Sequence, residues 1–189
     1  MNLTVVVCHF QENLDWIKQI KYPVVVYNKN PDKNNLYEKN LPNVGYDAIA
    51  YLTYIIDNYD NLPDFVCFSQ DDPFTHCPNF INNVNNFDTT QSFYPLGISY
   101  IRDVDSIVKE TVQYAENVHI EYNLPIKFIS GAQCIVSKKL ILQRSKESYE
   151  KIKKSIPLEV KSQINYLIEY LWPTILGFNE TLVVGTGTC

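Results

Sequence analysis

The chain has 189 residues, 46% of them hydrophobic and 13% aromatic, with 16 basic against 21 acidic side chains and a net charge of −5. That composition excludes a disordered chain, and the length suits one domain, residues 1–189, with a sizeable core. There is no basic run, which speaks against a nucleic-acid binder, and no stretch approaches the roughly 20 apolar residues of a membrane span.

Leu3–Cys8 and Tyr22–Tyr27 are β-branched runs that read as strands. Between them, over Glu12–Ile20, Leu14, Ile17 and Ile20 recur at helical spacing. Strand, short helix and strand begin a βαβ arrangement and point to a parallel sheet. Asn28–Pro42 is rich in Asn, Lys, Asp and Pro and reads as an exposed loop. Tyr46–Asn58 carries Ala48, Leu52, Ile55 and Ile56 on one face, the stripe of an amphipathic helix entered through Asn43 and Gly45. Phe65–Ser69 reads as a buried strand ending in Gln70-Asp71-Asp72-Pro73. Ser92–Ile101 is an irregular strand or loop, and Asp105–Glu116 looks helical. Ile126–Ser137 resembles a strand broken at Gly131, a bulge or a place of close ligand approach. Lys138–Ile156 gives one or two helices. Val160–Gly177 gives the last one, in which Pro173 predicts a kink. The fold class is α/β, with a central, mostly parallel sheet flanked by helices.

The five cysteines (Cys8, Cys67, Cys77, Cys134, Cys189) are scattered and lack CxxC spacing. Free thiols in a reducing, cytoplasmic setting are expected, and a cysteine-built zinc site is not. The run Met1–Val7 is too short for a secretion signal and has no basic leader.

Three groups of residues are candidates for chemistry. Asp71 and Asp72 lie at the carboxyl end of a predicted strand, where ligands of open α/β sheets collect, and adjacent acids there suit a hard divalent cation. The same pair also reads as a solvated turn before proline. Asn43-Val44-Gly45 at a helix entry would offer amides to a phosphate, or simply cap a core helix. Glu169, set among aromatic and apolar residues, reads either as a general base with raised affinity for protons or as a solvent-facing helix residue. His9 follows the first strand, and His76 lies four residues after Asp72 as an extra ligand candidate.

Taken together, Asn43-Val44-Gly45, Tyr51-Leu52, the run Asn58–Asp64, Phe68-Ser69-Gln70, Ser130-Gly131-Ala132-Gln133 and Glu169–Pro173 resemble an uncharacterised family widespread in fungi. The layout also resembles the nucleotide-sugar-binding domain of GT-A glycosyltransferases, including small viral ones, for which the setting would be the host cytoplasm. This resemblance implies a single GT-A-like, Rossmann-like domain. It would transfer a sugar from a nucleoside diphosphate sugar, UDP-linked by expectation, to a glycan or glycoprotein, with Mn²⁺ or Mg²⁺. By the same resemblance His9, Phe10, Asn43, Gly45, Gln70 and Asp71 bind the donor, and Asp72 and Asp71 hold the metal. Asp72 and Glu169 are catalytic, Glu169 as base, while Gly131, Ala132 and Trp172 face the acceptor, with Trp172 or Tyr170 stacking on its sugar. Gln70 stands where the first acid of an Asp-x-Asp motif is expected. Fungal relatives often carry Gly-Arg-Glu where this chain has Gly45-Tyr46-Asp47, so a cation that would meet phosphate is missing. The alternatives are a non-catalytic nucleotide- or sugar-binding protein of the same fold, or a metal-dependent phosphoesterase using Asp71, Asp72 and His76.

Overall fold

The computed structural model describes residues 2–37, 39–102 and 106–178. In chain order its main elements are β1 (Leu3–His9), β2 (Val24–Asn28), β3 (Lys39–Asn40), α1 (Ala48–Asn58), β4 (Phe65–Gln70) and α2 (Phe80–Asn85). There follow β5 (Phe93–Pro95), β6 (Ser99–Arg102), α3 (Ser106–Val118), β7 (Ile126–Ile129) and β8 (Cys134–Ser137). The chain then turns helical in α4 (Lys138–Ile141), α5 (Lys146–Lys154) and α6 (Gln163–Ile175).

Alternation along the strands builds a core on each side of the main sheet. Val6 and Cys8 of β1, with Val66 and Phe68 of β4, pack into the cluster under α1, α5 and α6. Leu3, Val5, Val7 and Cys67 pack on the other side against Trp16, Phe80 and Val84. The six strands run in the order β3-β2-β1-β4-β8-β5. The first four are mutually parallel, while β8 is antiparallel to both β4 and β5. This is the expected mostly parallel sheet flanked by helices, compatible with a Rossmann-like fold. The strands β6 and β7 form a separate antiparallel pair.

Four local expectations change. The segment predicted as a helix over Glu12–Ile20 is a 3₁₀ turn, Asp15–Gln19, pinned by buried Trp16, whose indole N–H donates to the Asp71 carbonyl at 2.9 Å. The loop Asn28–Pro42 holds a second 3₁₀ turn, Pro31–Leu36, capped by the Asn30 side chain, and then β3. Helix α1 begins at Ala48 because Gly45 (φ 66°) and Tyr46 (φ 43°) are both left-handed and cannot join a right-handed helix. The Ile126–Ser137 run is two strands in different sheets. Gly131 (φ 73°) and Ala132 (φ 52°) hand the chain from one sheet to the other.

Asp105 and Cys189 lie outside the described residues. Cys8, Cys67 and Cys134 are free and buried, as small hydrophobes should be. Cys77 is buried as well. Among the described residues no helix is long and apolar enough to cross a membrane.

Candidate functional site

The strand order reverses direction at β1, which lies between β2 and β4, so the carboxyl ends of β1 and β4 diverge into a crevice. Parallel register sets Cys8 beside Gln70 there, so the residues after each strand meet. Asp71 closes one corner of this crevice. Its Oδ2 accepts from the amides of Phe10 (2.8 Å), Gln11 (3.2 Å) and Glu12 (3.2 Å), and lies 3.3 Å from His9 Nδ1. His9 is 1% exposed. Its Nε2 lies 3.4 Å from Lys33 Nζ, which only donates, so Nε2 accepts there, while Nδ1 has no hydrogen-bond partner. Burial, opposed by Asp71, holds His9 below its ordinary pKa.

Asp72 follows in a turn of its own. Its Oδ1 accepts from the Phe74 amide at 3.1 Å and its Oδ2 from the Thr75 hydroxyl at 2.8 Å. His76 comes back over the β7–β8 turn, where a Cβ on Gly131 would meet its ring carbon Cδ2 at 2.5 Å. The close approach predicted at Gly131 is therefore made by His76. The Gly131 amide donates to Glu169 Oε1 at 3.1 Å, which fixes that carboxylate against the turn. Burial raises the Glu169 pKa, the Gly131 hydrogen bond lowers it, and nearby Asp47 raises it further. Glu169 is thus the half-buried carboxylate with raised proton affinity that the sequence suggested, not a solvent-facing helix residue.

Asp47 lies just before α1, yet its side chain does not cap the helix. Instead its Oδ2 accepts from Gln70 Nε2 at 2.7 Å, which ties the β4 end to α1. Burial raises the Asp47 pKa against the lowering effects of the Gln70 bond and of Lys29. Lys29, itself buried, donates to the Tyr46 carbonyl at 2.6 Å. Gln70 is further fixed through its amide, which donates to Gln133 Oε1 at 3.2 Å.

Between α1 and α6 these groups enclose a small pocket lined by Asp47, Tyr51, Asn165, Glu169 and Trp172, over apolar Ala48, Ala132 and Ile168. Its free volume is about 20 Å³, room for one water or one hydroxyl group. Asn165, Trp172 and Tyr51 are 3%, 1% and 0% exposed. Both amide atoms of Asn165, the indole nitrogen of Trp172 and the Tyr51 hydroxyl have no hydrogen-bond partner. Buried polar groups are normally paired, so four unpaired atoms on three of the lining residues are a local exception to that rule.

The structure brings Gln70, Asp71, Asp72, His9 and Phe10 to the β1–β4 crevice, and Gly45, Ala132, Trp172 and Glu169 to the adjoining pocket. Gly131 is joined to that pocket through Glu169. Trp172 offers no face for an acceptor sugar, because its ring is buried against Tyr51 and Phe68. Tyr170 packs edge-on against Phe128. Asn43 lies upstream of the left-handed pair and away from the first turn of α1. Asp47, Asn165 and Tyr51 join the site although sequence alone does not single them out.

For a divalent cation, Asp71 Oδ2 is already taken up by three amides, and both Asp72 oxygens accept from the Phe74 amide and the Thr75 hydroxyl, so an ion would have to share one of these carboxylates with its present donors. Among the described residues no group of three or more His, Cys, Asp or Glu side chains could hold a metal ion. An ion here would need most of its ligands from outside the protein, such as water or a ligand's own phosphates.

A family model described as "Protein of unknown function (DUF3431)" matches residues 5–103, just over half of the chain. No curated protein matches it.

Proposed function

The chain belongs to this family of proteins of unknown function, and we propose that it is a GT-A-type glycosyltransferase, moving a sugar from a nucleoside diphosphate donor to a glycan or protein-linked acceptor. The observation that supports the reading is the bond from Gln70, next to Asp71 and Asp72 at the strand end, to Asp47, which lines a pocket with Glu169. In this reading the base of the donor, UDP-linked by expectation, lies by exposed Phe10 and the Asp71 corner, and the diphosphate lies near Asp72. A Mn²⁺ or Mg²⁺ ion on Asp72 would supply charge stabilisation for the departing diphosphate. Glu169 removes the acceptor hydroxyl proton, and its raised proton affinity makes it a better base than an exposed carboxylate. Asp47, Gln70 and Gln133 hold the crevice walls in register.

A second reading, a non-catalytic binder of the same class of ligand, is favoured by one observation: Gln70 replaces an acid and its amide is bonded to Asp47. Melting curves with a panel of nucleoside diphosphate sugars, with and without Mn²⁺, separate the outcomes. A donor at about 100 times its dissociation constant adds about 2.7 kcal/mol of stability. A rise that needs metal and is followed by release of free nucleoside diphosphate supports the transferase. A rise without any turnover across an acceptor screen supports the binder, and no rise with any donor removes both.

A further inference from the structure

We propose that Tyr46 and Tyr166 form an aromatic platform that seats the C–H face of a sugar ring beside the Asp47–Glu169 pocket. The starting point is backbone strain. Tyr46 has φ 43°, a left-handed conformation that a bulky L residue rarely adopts and keeps only when its surroundings impose it. Two strand ends impose it here. The Tyr46 carbonyl accepts from Lys29 Nζ at 2.6 Å and from Cys8 Sγ at 3.7 Å, and both donor residues are buried. Glycine would make this turn without strain, so the tyrosine side chain is what the strain retains. That side chain does little for the core. Its ring meets Tyr166 edge to face, with centroids 5.4 Å apart and the two hydroxyls at 3.4 Å, and Tyr166 is 50% exposed. Neither ring is among the described residues that build or pack against the two cores.

The neighbours select the ligand. Tyr46 lines the pocket together with Asp47 and Glu169, so aromatic surface and carboxylate acceptors stand within reach of one ligand. A sugar ring offers both partners: a C–H face for the aromatic surface and a rim of hydroxyl donors for the carboxylates. An anion would meet two carboxylates. A cation would suit aromatic and acid alike, but it would also meet the buried Lys29 ammonium, which lies against the Tyr46 carbonyl and offsets the charge of Asp47. The pocket has about 20 Å³ free, so the ring lies outside it, against the tyrosines, with at most a hydroxyl reaching in. Calling this sugar the acceptor rests on the transferase reading, whereas the platform rests on Tyr46 and Tyr166.

Saturation-transfer NMR of methyl hexopyranosides, tetramethylammonium and acetate on the full chain tests this, with a melting curve for each variant. A methyl hexopyranoside is expected to receive saturation at its ring C–H protons. Its signal should stay within about twofold in Tyr46→Phe and fall about fivefold or more in Tyr46→Gly and in Tyr166→Ala. Tyr100 on β6, 43% exposed and stacked on Phe128, is the control, and Tyr100→Ala should leave the signal unchanged. Tyr46→Gly should melt at or above the native temperature, because it relieves the left-handed strain. A lower melting temperature in Tyr46→Gly makes the ring structural and overturns the proposal. So does a signal that survives in both Tyr46→Gly and Tyr166→Ala, no signal from any glycoside, or saturation of tetramethylammonium or acetate in their place. Release of nucleoside diphosphate from a sugar donor separates the two claims. Glycoside binding that is lost in both variants, with no release by the native chain, keeps the platform and removes the transferase. Release by the native chain, with glycoside binding unchanged in the variants, keeps the transferase and removes the platform.

Discussion

Two acidic neighbourhoods sit side by side at the carboxyl edge of the sheet, and they differ in how completely their polar groups are paired. At the Asp71 corner one carboxylate oxygen gathers three backbone amides, and one buried atom, His9 Nδ1 at 3.3 Å, has no hydrogen-bond partner. At the Asp47–Glu169 pocket each carboxylate has a protein donor, yet four neighbouring polar atoms have none. The first arrangement shapes a loop. The second leaves hydrogen-bonding capacity in a buried space, where an unpaired group costs about 1–3 kcal/mol and is retained for a reason other than stability.

The sharpest way to test that contrast is to alter each side in turn. Glu169→Gln keeps an acceptor for the Gly131 amide but cannot take a proton, so turnover should fall about 10²-fold or more with the melting temperature nearly unchanged. Steady-state kinetics beside a melting curve reads both, and full turnover in the variant removes Glu169 as base. Asp71→Ala should lower the melting temperature. Losing the acceptor of three amides should cost about 3 kcal/mol, a drop on the order of 6–12 °C in a chain this long, measured by thermal or denaturant unfolding. A drop under about 1 kcal/mol would mean the corner is not a structural clasp.

Smaller effects follow at single atoms. Gly131→Ala puts a Cβ into the His76 ring and an L side chain at φ 73°, and should destabilise by about 1–2 kcal/mol. Two tyrosine truncations form a matched pair. Tyr149→Phe removes a hydroxyl that donates to the Ile141 carbonyl at 2.9 Å and should cost about 1 kcal/mol. Tyr51→Phe removes an unpaired hydroxyl and should be neutral or slightly stabilising, so equal losses in both would erase the proposed difference.

The pH effect is the smallest and has a definite sign. Asp47 and Glu169 have raised pKa values, so the folded chain holds more protons than the unfolded one between the ordinary carboxylate range and those raised values. Their contribution to stability is full below the unfolded pKa and declines as pH climbs through that window. The double variant Asp47→Asn, Glu169→Gln should flatten that slope in denaturant unfolding followed against pH.

Much of the fold was legible because it rests on local pattern. The alternation in β1 and β4 and the 3.6-residue stripe of α1 arise from residues close in sequence, and each element appears within two or three residues of its expected bounds. The 3₁₀ turn at Asp15–Gln19 was read as a helix because its shape is set by Trp16 reaching Asp71, 55 residues away, which no window of sequence contains. The same reason hid Asp47. Its partner Gln70 is 23 residues distant, and nothing in the run Gly45-Tyr46-Asp47 announces that Gly45 and Tyr46 both turn left-handed before it. Glu169 was found because an acid within an apolar helix is visible by composition. Asn165, one turn earlier on the same helix, looks ordinary until its two unpaired atoms are seen.

The most direct test is release of nucleoside diphosphate from a panel of sugar donors with Mn²⁺ present, comparing the native chain with Asp72→Asn and Glu169→Gln. The transferase account predicts release from one nucleotide class, lost in Asp72→Asn and cut about 10²-fold in Glu169→Gln while that variant still binds donor. Release that is equal in all three proteins, or absent with every donor and acceptor tried, would contradict it.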